Sequence, residues 1–350
     1  LTINGPDDGE GAGDIDVANI GGSAVGVTGA TVIGNTNTDD LVLDGTVYKT
    51  TGAQTYTAAS GDKILVGTTN NAVAFNTANA NVSFNTSDVK LASGANLTVD
   101  TDSGSTGTIT FGGSIHGTGN TAALVTDITS LDGGTAAVTV NAIDSNIEDI
   151  TITGPTTIKG NITTASDGVI SITGNTTIFG DITIDTKTGG GANVTIDGTL
   201  NANATSDDLD IDAGTGTIEI TGDIAGTTAF ATIDLNAVAS GSSDGTTVGG
   251  VTLGGDIGVT GTAGAGATNI GNTETTGAIT LSGDMYHTSG ALTIRGGSYA
   301  VGNNSTLSTI KTTGNIAVEF GSNDVTVRAG GLKVDIGGNA NITFGGDIIG

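Results

Sequence analysis

The chain has 350 residues, of which 61 are glycine and only two proline; cysteine and tryptophan are absent and aromatics make up 3%. Glycine at this level without proline excludes collagen, and the regular recurrence of Ile, Val, Leu and Thr excludes a disordered polar chain. Acidic residues outnumber basic ones 36 to 9, and the formal charge of −27 repels nucleic-acid phosphates and anionic membrane surfaces.

Thr, Val and Ile suit a pleated surface because branching at Cβ restricts χ1, while strong helix formers are scarce, so the chain reads as all-β. With no disulfide and few aromatics, the fold is expected to rest on stacked backbone ladders and thin aliphatic layers. No window is apolar for long enough to span a bilayer, so no membrane insertion by this segment is expected. A surface this acidic suits a saline or calcium-bearing exterior, where ions screen it.

In chain order, Leu1 to Pro6 opens the sequence and runs into an acidic, glycine-rich loop, Gly5 to Gly13. Asp7, Asp8, Glu10 and Asp14 make a weak carboxylate cluster there, read first as a solvated surface. Thr50-Thr-Gly-Ala-Gln-Thr-Tyr-Thr57 is a short alternating run. At Ile109-Thr-Phe-Gly-Gly113-Ser-Ile115 a signature begins: two alternating apolar residues, then glycine, a small polar residue and another apolar one. Thr151 to Thr163 and Ser171 to Thr183 then repeat each other almost residue for residue (TITGPTTIKGNIT, SITGNTTIFGDIT), with brief Ile/Thr strands broken by glycine.

The signature returns around Gly222, Gly255, Gly283 and Gly346, each followed by Asp, and in shorter form at Gly13, Gly160, Gly180 and Gly314. Its glycine is read as a corner with positive φ, and the following Asp or Asn as a hydrogen-bond acceptor for nearby backbone. The spacing is irregular, as coils of variable length require. Coils of roughly 20 to 24 residues would give about 15 to 17 of them, a rod of roughly 75 Å. The expected fold is a right-handed parallel β-helix (β-solenoid), with residues 1–350 forming a single continuous segment despite the polar cluster from Ser240 to Gly250. Leu1 to Pro6 echoes Thr151 to Pro155, and the last residues copy the signature. The ends therefore read as uncapped, implying continuation in a longer polypeptide or self-association end to end or laterally.

Between the repeats lies the clearest acidic run, Asp207-Asp208-Leu-Asp210-Ile-Asp212. Alternation puts Asp208, Asp210 and Asp212 on one strand face, where hard oxygen ligands from neighbouring coils could hold calcium; the competing reading is a solvated outer face. No other cofactor is implied. His116 and His287, lacking metal-ligand spacing, read as exposed loop residues, and Gly189-Gly190-Gly191 as a turn, since no Lys-Ser/Thr follows it. A polysaccharide-active enzyme would need a carboxylate groove and a basic residue, for which only Arg295 and Arg328 offer a guanidinium, so no enzyme is expected. Thr-x-Thr runs at Thr108 and Thr151 raise ice binding as a further class, but the runs are irregular.

The Thr50 to Thr57 run, the Ile109 to Ile115 signature and the Ile-Thr-Gly-Asn-Thr-Thr-Ile series resemble the repetitive regions of filamentous-haemagglutinin-like and autotransporter-type surface proteins of Gram-negative bacteria. The resemblance implies a secreted, cell-surface location and a role in adhesion, matrix or coating. The expected function is an extracellular structural fibre, sheath or coat component; the alternative is an adhesin with a glycan or cell-surface ligand. No catalytic residue follows from the resemblance.

Overall fold

The computed structural model describes residues 1–4, 13–22, 26–101, 106–118, 122–127, 137–165, 168–186, 190–236, 248–258 and 264–350. Among them there is no helix; short parallel strands stack as a β-solenoid, with about 12 turns in all. The chain divides into two compact units, Leu1–Gly168 and Val169–Gly350.

In the first unit each coil lays down three strands on three faces. Gln54–Tyr56 belongs to the first face, Lys63–Val66 to the second and Ala72–Thr77 to the third, and the next coil repeats the order with Val82–Phe84, Asp88–Leu91 and Asn96–Asp100. Partners stack in register, Tyr56 on Phe84 and Ile64 on Val89. Alternation is the cause: three-residue strands run buried, half-buried, buried, so every second side chain enters the core and a one-residue slip would expose them all. The long strand Ile143–Thr153 serves two faces, pairing through Ile143 with Ile115 and through Ile150 with Leu124.

The core of this unit departs from the aliphatic layers expected. Tyr48 stacks on Phe75 (centroids 4.7 Å apart) on the third face, while Tyr56, Phe84 and Phe111 stack on the first, and Phe75 meets Tyr56 and Phe84 edge-on at 5.2 and 5.1 Å. Few aromatics suffice because they are gathered in one place. Gln54 is buried among them, its Nε2 donating to the carbonyls of Tyr48 and Asn76 while its Oε1 accepts from the Tyr56 hydroxyl.

The second unit is also three-faced. Thr176–Ile178 and Leu200–Ala202 lie on its first face, Ile182–Asp185 and Asp208–Asp212 on its second, Ile170–Thr173 and Val194–Asp197 on its third. Coil length varies more than 20 to 24 residues: Val138 stacks on Thr156, but Ile233 stacks on Thr268. The turns are accordingly fewer than uniform short coils would give.

The glycine signature works differently from the expectation. Within the first unit Gly113 lies between the first and second faces; within the second, Gly222, Gly255 and Gly283 lie between the third and first, and Gly346 between the second and third. One motif thus serves every kind of corner, which is why its spacing does not report coil length. None of these five has positive φ. Glycine is required instead by close stacking: a Cβ on Gly255 would lie 2.4 Å from the carbonyl carbon of Gly222, and one on Gly283 would lie 2.2 Å from the carbonyl oxygen of Gly255. Gly180 and Gly314 do follow the expectation, with φ of 80° and 87° and open space around them.

Candidate functional site

The side chains with chemistry on the outer surface are mostly engaged in holding one coil to the next. Asp256 Oδ1 accepts the backbone N–H groups of Asp284 and Met285 at 2.7 and 2.9 Å, Asp223 Oδ1 accepts that of Asp256 at 2.9 Å, and Asp324 Oδ1 accepts that of Asp347 at 2.8 Å. In the first unit Asp88 does the same for Ser114, at 2.8 Å. Two signature aspartates, Asp223 and Asp256, and two outside the signature, Asp88 and Asp324, therefore reach the following coil, where the corner leaves an N–H outside the strand ladder. Asparagine serves equally: Asn193 accepts from Thr217 and Asn315 from Asn339. A hydrogen bond to a carboxylate contributes about 1.5–3 kcal/mol, whereas neighbouring exposed carboxylates one coil apart repel by about 1 kcal/mol in water. The staple wins, and the acidic composition is in part structural.

The run read for calcium lies on one strand, Asp208–Asp212, with its members unequally buried. Asp208 and Asp210 are half-buried on the outward side of their strand, but Asp212, at its end, is buried, and its Oδ1 accepts the Gly214 N–H at 3.2 Å in the turn that follows. The strand's alternation stops one residue before the sequence pattern does. Asp208 Oδ1 accepts the Thr232 hydroxyl at 2.7 Å, and Asp210 stacks in register between Thr183 and Asp234. Among the described residues no three His, Cys, Asp or Glu side chains form a group that could hold a metal ion. Asp7, Asp8 and Glu10 lie outside the described residues, as do Gly189 and 240–247 of the polar cluster; Asp14 is exposed.

Both histidines sit on strands instead of loops. His287 is buried in Met285–Thr288. His116 bridges three coils of the first unit: its Nδ1 lies 2.6 Å from Asp144 Oδ2 and its Nε2 lies 3.5 Å from Asp88 Oδ2. Asp144 Oδ1 also accepts the N–H groups of Gly117 and Asn146. With both ring nitrogens facing carboxylates, the arrangement is a brace. Sequence spacing could not reveal it, because its three members come from three different coils.

One concavity in the second unit combines charge, hydroxyl and amide groups. Ile270, Ile294 and Phe320 stack in register, so Gly271, Arg295 and Gly321 follow one another in the next position of the stack. Gly321, having no side chain, leaves room beside the arginine at a notch of about 410 Å³, whereas Gly271 packs tightly against the Arg295 carbonyl. Arg295 Nη2 donates to Glu319 Oε1 at 2.9 Å on one wall, and Asn323 Nδ2 donates to the Gly296 carbonyl at 2.7 Å on another. At the floor the Tyr299 hydroxyl accepts the Gly296 N–H at 3.0 Å, and a Cβ on residue 321 would lie 2.5 Å from that hydroxyl oxygen. The sequence singled out Arg295 only as a scarce guanidinium; the glycines flanking it in space are far away along the chain.

Comparison with known proteins adds no relative: no protein-family model, no curated protein and no solved structure matches the chain.

Proposed function

We propose that the chain is a stiff structural element of an extracellular fibre, sheath or surface coat, of the bacterial cell-surface kind its repeats resemble, acting through repeated shape. The supporting observation is an uncharged column on the first face of the first unit. Thr55, Ser83, Thr110, Thr139 and Thr157 stack in register on its outward side. The adjoining positions are Ala53, Asn81, Thr108, Ala137 and Pro155 on one side and Thr57, Asn85, Gly112, Asn141 and Lys159 on the other. These positions carry a single charge, Lys159 at the edge, and no carboxylate, in a chain of net charge −27.

Such a face lets a second copy approach without the repulsion that guards the rest of the surface, and its short side chains allow two sheets to pack closely. Five strands at about 4.8 Å by five residues at about 3.3 Å present roughly 400 Å² per partner, half of the roughly 800 Å² of a stable binary interface. A single pair of faces binds weakly; repetition along a fibre supplies the avidity. Sedimentation velocity across a concentration series is the test. Lateral association should be lost in Thr110→Glu/Thr139→Glu and kept in Thr98→Glu on the third face. A strictly monomeric protein at high concentration, or equal loss in both variants, would sink the reading.

A second reading, an adhesin with a glycan ligand, is favoured by one observation, the polar notch at Arg295.

A further inference from the structure

We infer that the notch beside Arg295 is a binding site for a neutral sugar, one or two pyranose rings of a glycan. The inference deepens the adhesin reading and is independent of lateral association.

The volume is the first constraint. About 410 Å³ lies at the lower end of the roughly 300–1,000 Å³ typical of small-molecule sites. The lining is the second. No aliphatic side chain contributes to it, and the one aromatic, Tyr299, is 2% exposed and presents its hydroxyl end. An apolar ligand would gain little by entering.

What the walls offer is donors and acceptors side by side. The Arg295 guanidinium brings five N–H donors in a planar fork, of which one is used on Glu319. Glu319 brings acceptor oxygens only. Asn272, Asn323, Thr273 and Ser322 add amide and hydroxyl groups around them. A hydroxyl of a sugar both donates and accepts, so two adjacent hydroxyls can span the ion pair, one accepting from the guanidinium and the other donating to the carboxylate. Both charged side chains are only partly exposed, 38% and 45%, which strengthens such bonds relative to open water.

Charge decides between neutral and acidic sugars. A uronate or sialate carboxylate would have to displace Glu319 from Arg295 and approach a chain of net charge −27. A neutral ring meets neither obstacle. Gly321 fits the same reading, because any side chain there would cover the Tyr299 hydroxyl at the floor.

The experiment is saturation-transfer NMR and calorimetry of the whole chain with glucose, galactose, mannose, N-acetylglucosamine and glucuronate. At least one neutral sugar should bind with a dissociation constant of roughly 0.1–10 mM, or about −3 to −5 kcal/mol. Glu319→Gln, nearly isosteric, and Arg295→Ala should each weaken that binding about tenfold or more, and Gly321→Ala should abolish it, while Thr98→Glu leaves it unchanged; circular dichroism confirms that each variant is folded. The proposal is overturned if none of the four neutral sugars binds, if glucuronate binds more tightly than all of them, or if folded Glu319→Gln and Arg295→Ala variants both bind as the parent does. None of these outcomes touches the sedimentation assay, so the two proposals fail separately.

Discussion

Phe84 and Phe111, on successive coils of the first unit, stack with ring centroids 4.8 Å apart and planes 5° from parallel. Tyr56 continues the stack on the other side of Phe84, at 5.3 Å, so Phe84 is packed on both faces of its ring. Both phenylalanines are fully buried. Phe84→Ala should therefore cost about 3–5 kcal/mol, the range for emptying a buried aromatic site, and Phe84→Leu clearly less. The midpoint of chemical unfolding measures both.

The carboxylate staples give a second prediction. Asp256 holds two N–H groups of the next coil, so Asp256→Ala should destabilise by about 1–3 kcal/mol and leave two corner donors to water, whereas Asp256→Asn keeps an acceptor oxygen and should retain most of the stability. Because the stacked carboxylates repel one another, raising salt from roughly 0.02 M to roughly 0.5 M should raise the melting temperature of the parent protein. A melting temperature that falls with salt would contradict the view that repulsion between coils is the unfavourable part of this arrangement.

Two glycines of the same motif should respond differently to alanine. Gly255→Ala places a methyl group 2.4 Å from backbone that cannot swing aside, and substantial unfolding or loss of soluble protein is expected. Gly180→Ala meets no atom within 4 Å and is penalised only by its φ of 80°, at about 1–2 kcal/mol. Melting temperatures of the pair, measured side by side, check the distinction between a steric and a conformational requirement.

Alkaline titration is the fourth test. Burial raises the phenol pKa of Tyr48, Tyr56 and Tyr286 above the ordinary 10.0, with Asp44 and Asp16 adding to the effect at Tyr48 and Asp256 and Asp284 at Tyr286. The folded state holds these protons more tightly than the unfolded chain does. Their contribution to stability is thus fully present below pH 10 and declines as pH rises above it. Phenolate absorbance from these three tyrosines should stay low as the pH passes 10 and then rise together with loss of β-sheet circular dichroism. Independent ionisation of Tyr56, seen as a tyrosinate signal absent from Tyr56→Phe while the sheet signal persists, would contradict it.

The sequence by itself determined the local grammar of this protein. Alternation of Ile, Val and Leu with Thr dictates short strands with one buried side, and glycine followed by Asp or Asn marks where a strand stops and turns, because these are properties of a few consecutive residues. The all-β, parallel solenoid follows from repeating that unit. What the glycine and the aspartate do, however, was decided by residues one coil away: Gly222 sets the need for glycine at 255, and the N–H of Asp284 gives Asp256 its partner. The number of residues per coil varies, from Val138–Thr156 to Ile233–Thr268, so no fixed spacing along the chain could locate those partners. The same reason hid the His116 brace, the aromatic cluster around Phe84 and the notch between Arg295 and Gly321. It also buried Asp212 while leaving Asp208 and Asp210 half-buried: burial at a strand's end is fixed by what it packs against, and only the stacked coils supply that.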